Sequence, residues 1–413
     1  MRSFLDVSAL VIEDNPLNLS VCNEALRALG LQNIKVASSA ARAIEHCEAN
    51  KVHLIVCSSS LTKGLSASQL LEELREKNLI GLDVVFISID NQSSKEVVNR
   101  LYELQADIMV HSPINVKALK QAIVPVLSAK LDLKFIYDVV NQGRTKAALK
   151  LITGQLDKCI DVTLRPVLLK MKGDLLISTK DWPCAILFFR QVLRTDSFNW
   201  ARLGLVNAYI KSDKLKHANI YLNQLLLHCE TKATAYALLS ELKLRSHEFK
   251  AAFEAIEISS ELSPCNFHTQ EELFNLSRLN HNYDSQLKAS KEMLKLSKGT
   301  YHDCPEMYLR VIRTSIDHAM ANFNEDQSQD IELSTLCMKR MKKRFPNSDL
   351  AEQVAVVNVR LHQLNNEPEK AKALMDDLLN DNHDQHGSIE DELDKAKACH
   401  QVGLFDHSKR IFA

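Results

Sequence analysis

The sequence predicts an α/β domain followed by an all-α domain: a doubly wound, five-stranded parallel sheet over residues 1–129, then a superhelix of helical repeats over residues 130–413. Three observations predict it. Before residue 129, short apolar runs alternate five times with amphipathic helical stretches, the pattern of a parallel sheet covered on both faces. Beyond Ala129 the strand signals cease, and amphipathic helix broken by short polar turns takes over. Within that region small residues recur at a fixed period, Ala185 to Ala218 to Ala252, in steps of 33 and 34 (218 − 185 and 252 − 218).

Composition agrees. Only 10 glycines and 9 prolines occur in 413 residues, which favours a mostly helical fold. The formal charge of −1 gives no general pull toward nucleic acid or anionic membrane. No run approaches the roughly 18 apolar residues of a membrane span. Asp6 interrupts the first residues too early for a secretory leader, so a cytoplasmic protein is expected. The ten cysteines include no CxxC pair, which argues for reduced thiols rather than a disulfide frame or a zinc site.

In chain order, the first strand is Ala9 to Asn15. Pro16 then opens a helix carrying Leu17, Val21, Ala25 and Leu26 at helical spacing until Gly30 stops it. Asn33 to Val36 is the second strand, and Ser38 or Ser39 caps a helix from Ala40 to Ala49. Val52 to Ser60 is the third strand. A helix from Ser68 to Lys77 follows, with Leu70, Leu71 and Leu74 on one face. Val84 to Ser88 and Ile108 to His111 are the last strands, followed by helices from Ser94 to Leu104 and from Val116 to Leu127.

Two strand ends carry the functional signal, because ligands of parallel sheets bind at the carboxyl ends of the strands. The first strand ends in the adjacent carboxylates Glu13 and Asp14, and the third ends abruptly in Cys57, Ser58, Ser59 and Ser60. This pairing resembles the receiver (CheY-like, flavodoxin-like) domain of two-component response regulators. The resemblance implies that the acidic pair holds Mg2+ and that an aspartate ending the third strand accepts a phosphoryl group. Glu13 and Asp14 match the pair, but the acceptor position falls on Ser58, and its neighbours are not carboxylates. Ser88 matches the hydroxyl that bonds the phosphoryl oxygen. Ser112-Pro113 stands where the family carries Lys-Pro, and Met109 stands where it carries an aromatic reporter. A neutral serine without an adjacent general base is not set up to form an acyl phosphate. Without the acceptor carboxylate, Mg2+ at Glu13 and Asp14 is expected to be weak or absent, and no other cofactor is implied. The expectation is a pseudo-receiver of one conformation that offers a surface, the family's usual face being 94–104, 108–111 and 116–127 here.

The repeats resemble the tetratricopeptide (TPR) pattern. Gly173, Ala185 and Phe189 stand at its mutual offsets, Tyr209 and Ala218 mark a second unit, and Ala252 and Pro264 a third. Around these three, about four degenerate units follow the same hairpin logic, one of them with Gln286 in place of the small anchor. Such units bury their apolar faces only by stacking, and their concave side binds peptides or helices of partner proteins. That lining is expected to include Lys170, Arg202, Asn207, Lys211, Tyr236, Glu241 and Lys243. The apolar helix ending in Ile411-Phe412-Ala413 is a candidate homodimer contact.

Other signals have plainer readings. Lys339 to Arg344 reads as a solvated helix end complementing the helix dipole. His383, Asp384 and His386 lie in a polar loop, and Ser60-Leu61-Thr62-Lys63 matches an SxxK string by chance. Trp182 and Trp200 read as packing residues. No Gly-rich phosphate loop, HExxH or nucleophile triad is visible, so no enzyme is expected. Taken together, the sequence predicts a phosphorylation-independent signalling adaptor whose protein partners include a histidine kinase or a response regulator. Two alternatives stay open: a phosphorylatable regulator using Ser58 or Asp14, and a peptide-binding co-chaperone in which the receiver is a cap.

Overall fold

The computed structural model describes residues 4–59, 61, 64–90, 95–158, 163–228, 231–322, 327–380 and 387–412. The parallel sheet has the order β2-β1-β3-β4-β5, from β1 (Ser8–Ile12), β2 (Asn33–Ala37), β3 (Leu54–Ser58), β4 (Val85–Asp90) and β5 (Ile108–His111). The central strands are apolar up to their carboxyl ends, where Ser58, Ser88 and Asp90 stand, because both faces are covered. On one face Ile12, Ile55, Cys57 and Phe86 pack against α2 (Ala40–Ala49), α3 (Ala67–Glu76) and α4 (Lys95–Glu103). On the other, Val11, Val56, Ile87 and Ile89 pack against α1 (Pro16–Ala28) and α5 (Val116–Asp132).

The local signals act as capping chemistry requires. Pro16 occupies the first turn of α1, and the Asn15 side chain accepts the Leu17 N–H at 2.9 Å. Ser39 caps α2 and Ser66 caps α3, so the third helix starts one residue earlier than its apolar pattern suggests. α5 runs five residues beyond Leu127. Its extension is held by Lys130, whose ammonium donates to the Val84 carbonyl (2.7 Å) and to Asp107 (2.8 Å). The position 129/130 therefore lies inside a helix, and only Leu133 separates α5 from α6 (Lys134–Asn141).

From there the chain is helical: α7 (Thr145–Lys158), α8 (Leu164–Ser178), α9 (Trp182–Thr195), α10 (Asn199–Lys211), α11 (Leu215–Leu225), α12 (Lys232–Arg245), α13 (Phe249–Leu262) and α14 (Phe267–Leu279). Then come α15 (Tyr283–Ser297), α16 (Pro305–Ala321), α17 (Ser328–Arg344), α18 (Ala351–Leu364), α19 (Pro368–Asn380), α20 (Ile389–Gln401) and α21 (Phe405–Phe412). The chain divides into two compact units, one of residues 1–269 with 299–301 and one of residues 270–298 with 302–413. In the first, α6 to α13 form hairpins whose anchors Ala185, Ala218 and Ala252 are fully buried. In the second, α16 packs on α17, α18 on α19 and α20 on α21. No described helix is long and apolar enough to cross a membrane.

The repeat is also written in the backbone. Lys180, Asp213, His247 and His281 all have positive φ, between 54° and 61°, at steps of 33, 34 and 34. Each follows the first helix of a hairpin. At the second to fourth of these turns the next N–H reaches back to a carbonyl five residues earlier, as Lys214 does to Tyr209 at 2.9 Å. A left-handed residue at this point reverses the chain in the fewest residues. None of the four is glycine.

Candidate functional site

The crevice lies at the carboxyl edge of the sheet, where Cys57 is in register with Ile12 on one side and Ser88 on the other, and Ser88 with Met109. Glu13 is 2% exposed and its carboxylate is drawn into the β1–α1 turn. One oxygen accepts the backbone N–H groups of Asp14 (3.1 Å) and Asn15 (3.0 Å), and the other accepts the Asn18 amide (3.2 Å). Three donors thus converge on a group that the sequence marked as half of a metal pair. Asp14 is half-buried beside it.

Ser58 is fully buried at the end of β3. Ser88 is fully buried as well, and its hydroxyl has no hydrogen-bond partner among the described residues. Met109 packs into the apolar layer facing α3 and α4 instead of pointing a polar group at the crevice. Ser112 and Pro113 are exposed and joined by a cis peptide, and the Ser112 N–H donates to the Asp90 carbonyl at 2.9 Å. Beside them Asp90 meets His111 at 3.1 Å.

The electrostatics keep the two nearby thiols in their neutral form. Burial, then the Glu13 charge, pushes the Cys22 thiol up to about 12, and the same two causes raise Cys57 further. Both stay protonated near neutral pH. Among the described residues no group of His, Cys, Asp and Glu is arranged to hold a metal ion.

A second constellation was not foreseen. Arg100 of α4 is 7% exposed and bridges Glu72 of α3 (2.6 Å) and Glu103 (3.1 Å). Glu103 also accepts the Asn266 amide (2.9 Å), and Asn99 donates to the Leu262 carbonyl at the end of α13 (3.2 Å). Glu73 of α3, 2% exposed, accepts the Tyr301 N–H at 2.7 Å. Within the first unit, then, α3 and α4 are tied to helical segments more than 150 residues away in sequence. The α4 part of the expected docking face is occupied by the chain itself.

In the repeats, Phe189 of α9 is 2% exposed and wedges between two glycines. A Cβ on Gly173 would stand 2.7 Å from its ring, and a Cβ on Gly204 of α10 only 2.4 Å away. Gly173 was legible from the repeat pattern and Gly204 was not, although an isolated glycine inside a helical run is a signal of close approach. Tyr209 stacks on Tyr221 with ring centroids 6.0 Å apart, and Trp200 packs edge-on against Phe189 at 6.4 Å. Pro264 is half-buried in the turn after α13. Of the expected lining, Lys211 of α10 pairs with Glu241 of α12 at 2.7 Å, and Lys170 bonds Asp174 and Gln105. Asn207, Arg202 and Tyr236 are half-buried. In the basic run Arg344 pairs with Asp303 (3.0 Å), while Lys339, Arg340, Lys342 and Lys343 are exposed. The histidine-rich loop at 383–386 and most of the SxxK string lie outside the described residues.

The sheet order, the acidic β1 end and the hydroxyl-lined β3 and β4 ends define a receiver-type α/β domain. Residues 9–124 match the family model described as the response regulator receiver domain, and this part of the chain is such a domain. The hairpins that follow are tetratricopeptide-like. Solved structures similar to the chain include MamA from residue 41 to its end, of Desulfovibrio magneticus RS-1 (19% identity, 42% of this chain and 97% of that one, TM-score 0.35). Another is a tetratricopeptide repeat protein from Parabacteroides merdae ATCC 43184 (13% identity, 67% and 98%, TM-score 0.35). A third is the APC/C hetero-tetramer Cut9-Hcn1 (12% identity, 83% and 58%, TM-score 0.31). The comparison with curated proteins yields no match.

Proposed function

We propose that this chain is a phosphorylation-independent adaptor of two-component-type signalling. A receiver joined to tetratricopeptide-like repeats is an architecture of signalling and protein interaction, and neither part is typically catalytic. In this reading the repeats hold one protein, while the pseudo-receiver engages another, such as a histidine kinase or a response regulator, by occupancy alone.

The observation that carries the proposal is the chemistry at the crevice. Neutral Ser58 stands where an acyl phosphate would require aspartate, and both Glu13 oxygens are spent on Asp14, Asn15 and Asn18. A metal at Glu13 would have to replace three hydrogen bonds, and a transferred phosphoryl group would find Ser112 in place of a lysine. The ties of α3 and α4 through Arg100, Glu103 and Glu73 give a second support, because they hold still the elements next to the crevice.

The test is incubation of the intact chain with acetyl phosphate and Mg2+, read by intact mass, and with beryllofluoride and Mg2+, read by methyl NMR. No phosphoryl adduct and no saturable spectral change are expected. Ser58→Asp is the control, expected to regain Mg2+ affinity through a third carboxylate. A saturable response of the unaltered chain would instead support phosphorylation at Ser58 or Asp14.

A further inference from the structure

Gln286 stands 34 residues after Ala252, at the place where three earlier units carry a buried alanine. It is 4% exposed, and its amide, which makes no hydrogen bond among the described residues, keeps its polar atoms open to a neighbouring cavity. An amide in that position has both its donor and its acceptor available to whatever occupies the cavity. Its side chain lines a cavity of about 240 Å³ in the second unit, together with Phe274 and Arg278 of α14, Arg310 and Arg313 of α16 and Lys397 of α20.

Three of the four cations there are committed. Arg278 pairs with Glu390 (2.7 Å), Arg313 with Asp391 (2.6 Å) and Asp394 (3.2 Å), and Lys397 with Asp317 (2.6 Å). Arg310 is different. Its closest ion-pair partner, Glu271, is 4.0 Å away, and its guanidinium rests over the Phe274 ring at 5.1 Å from the centroid. The cavity therefore presents one guanidinium fork with donors to spare, one amide that makes no hydrogen bond among the described residues, and an apolar wall of Phe274 and Leu393.

We propose that this cavity binds the carboxylate of a compact organic acid, with Arg310 and Gln286 as its donors. An arginine fork matches a carboxylate in plane and bidentately. Glu306, Asp317, Glu390 and Asp394 line the same space, so the lining carries as many acids as bases and disfavours a multiply charged anion such as phosphate. The volume lies below the roughly 300 Å³ at which ordinary small-molecule pockets begin, so only a compact group enters it whole. The acid is either a free metabolite or the acidic side chain or terminus of a peptide. This inference stands apart from the reading of the receiver, whose failure would leave it untouched.

The experiment is calorimetric titration of the intact chain with phenylacetate, with glutarate, with a short acetylated peptide ending in a free carboxylate, and with inorganic phosphate. At least one carboxylate probe is expected to bind with Kd below about 1 mM, and phosphate is not. Gln286→Ala restores the alanine of the other repeats; it is expected to keep or raise the Tm while weakening the probe about tenfold or more. Arg310→Met is expected to weaken it likewise. In the unaltered chain the bound probe is expected to slow hydrogen exchange in α14, α15 and α16, a readout that needs no variant. Binding of the two small acids identifies a metabolite site, and binding of the peptide alone identifies a partner's carboxylate. Three outcomes would overturn the proposal: no probe binding, phosphate binding as well as the acids, or affinity and exchange unchanged by both variants.

Discussion

Gly204→Ala tests the packing that carries the repeats. A Cβ at this position would lie 2.4, 2.7 and 2.8 Å from three carbons of the Phe189 ring, against about 3.5–4.0 Å for ordinary carbon contact. The ring would have to retreat by roughly 1 Å. It has little room: Gly173 closes on the same Cε1 and Cζ carbons, and Phe188 and Trp200 pack on the ring at 5.5 Å and 6.4 Å between ring centroids. Overpacking costs about 1–3 kcal/mol, and an approach as close as 2.4 Å to a packed ring puts it in the upper half of that range, about 2–3; the gain of alanine over glycine in a helix returns about 1 kcal/mol. A net loss of about 1–2 kcal/mol is expected, seen as a lower urea midpoint at unchanged slope. Gly204→Ala combined with Phe189→Leu should cost less than the two single changes summed, because the smaller side chain makes the room that the methyl needs. A Gly204→Ala protein as stable as the parent, or a strictly additive double variant, would refute the wedge.

Two further expectations concern the second unit. Arg360 is 1% exposed and binds Asp317 (2.6 Å), Asp394 and Gln401 (3.3 Å), tying α16, α18 and α20 together. Arg360→Met would leave buried Asp394 and half-buried Asp317 each short of a partner and should cost about 3 kcal/mol by chemical denaturation; a loss below about 1 kcal/mol would show the charges to be solvated. His318 sits between Asp330 (2.6 Å) and Asp284 (2.9 Å). Burial lowers its pKa, but the hydrogen bonds and charges of the two aspartates outweigh burial and raise it above the usual 6.5. The folded state thus holds the proton more tightly than the unfolded one. The contribution is complete below pH 6.5 and is lost as pH climbs through the raised pKa. His318→Gln should flatten that part of the stability profile, and an unchanged profile would remove His318 as its source.

The sequence by itself determined the fold class and most of the elements. Short continuous apolar runs alternating with helical-period stretches that are bounded by Asn15, Ser39 and Gly30 read as buried strands and capped helices, and these are local signals carried by neighbouring residues. The crevice was legible for the same reason, since Glu13 follows one apolar strand run and Ser58 ends another; Ser88 looked like a strand end too, but β4 runs two residues further, to Asp90. Tertiary structure alone decided what those residues do. Glu13 acts as an acceptor for a turn because its carboxylate folds back onto N–H groups one and two residues ahead, which strand periodicity does not encode. Arg100 reaches Glu72 across helices, Phe189 finds Gly204 in the next hairpin, and Gln286 faces Arg310 across a cavity. Each depends on distances between segments far apart in the chain, and a hydrophobic pattern says which face is buried without saying what it is buried against.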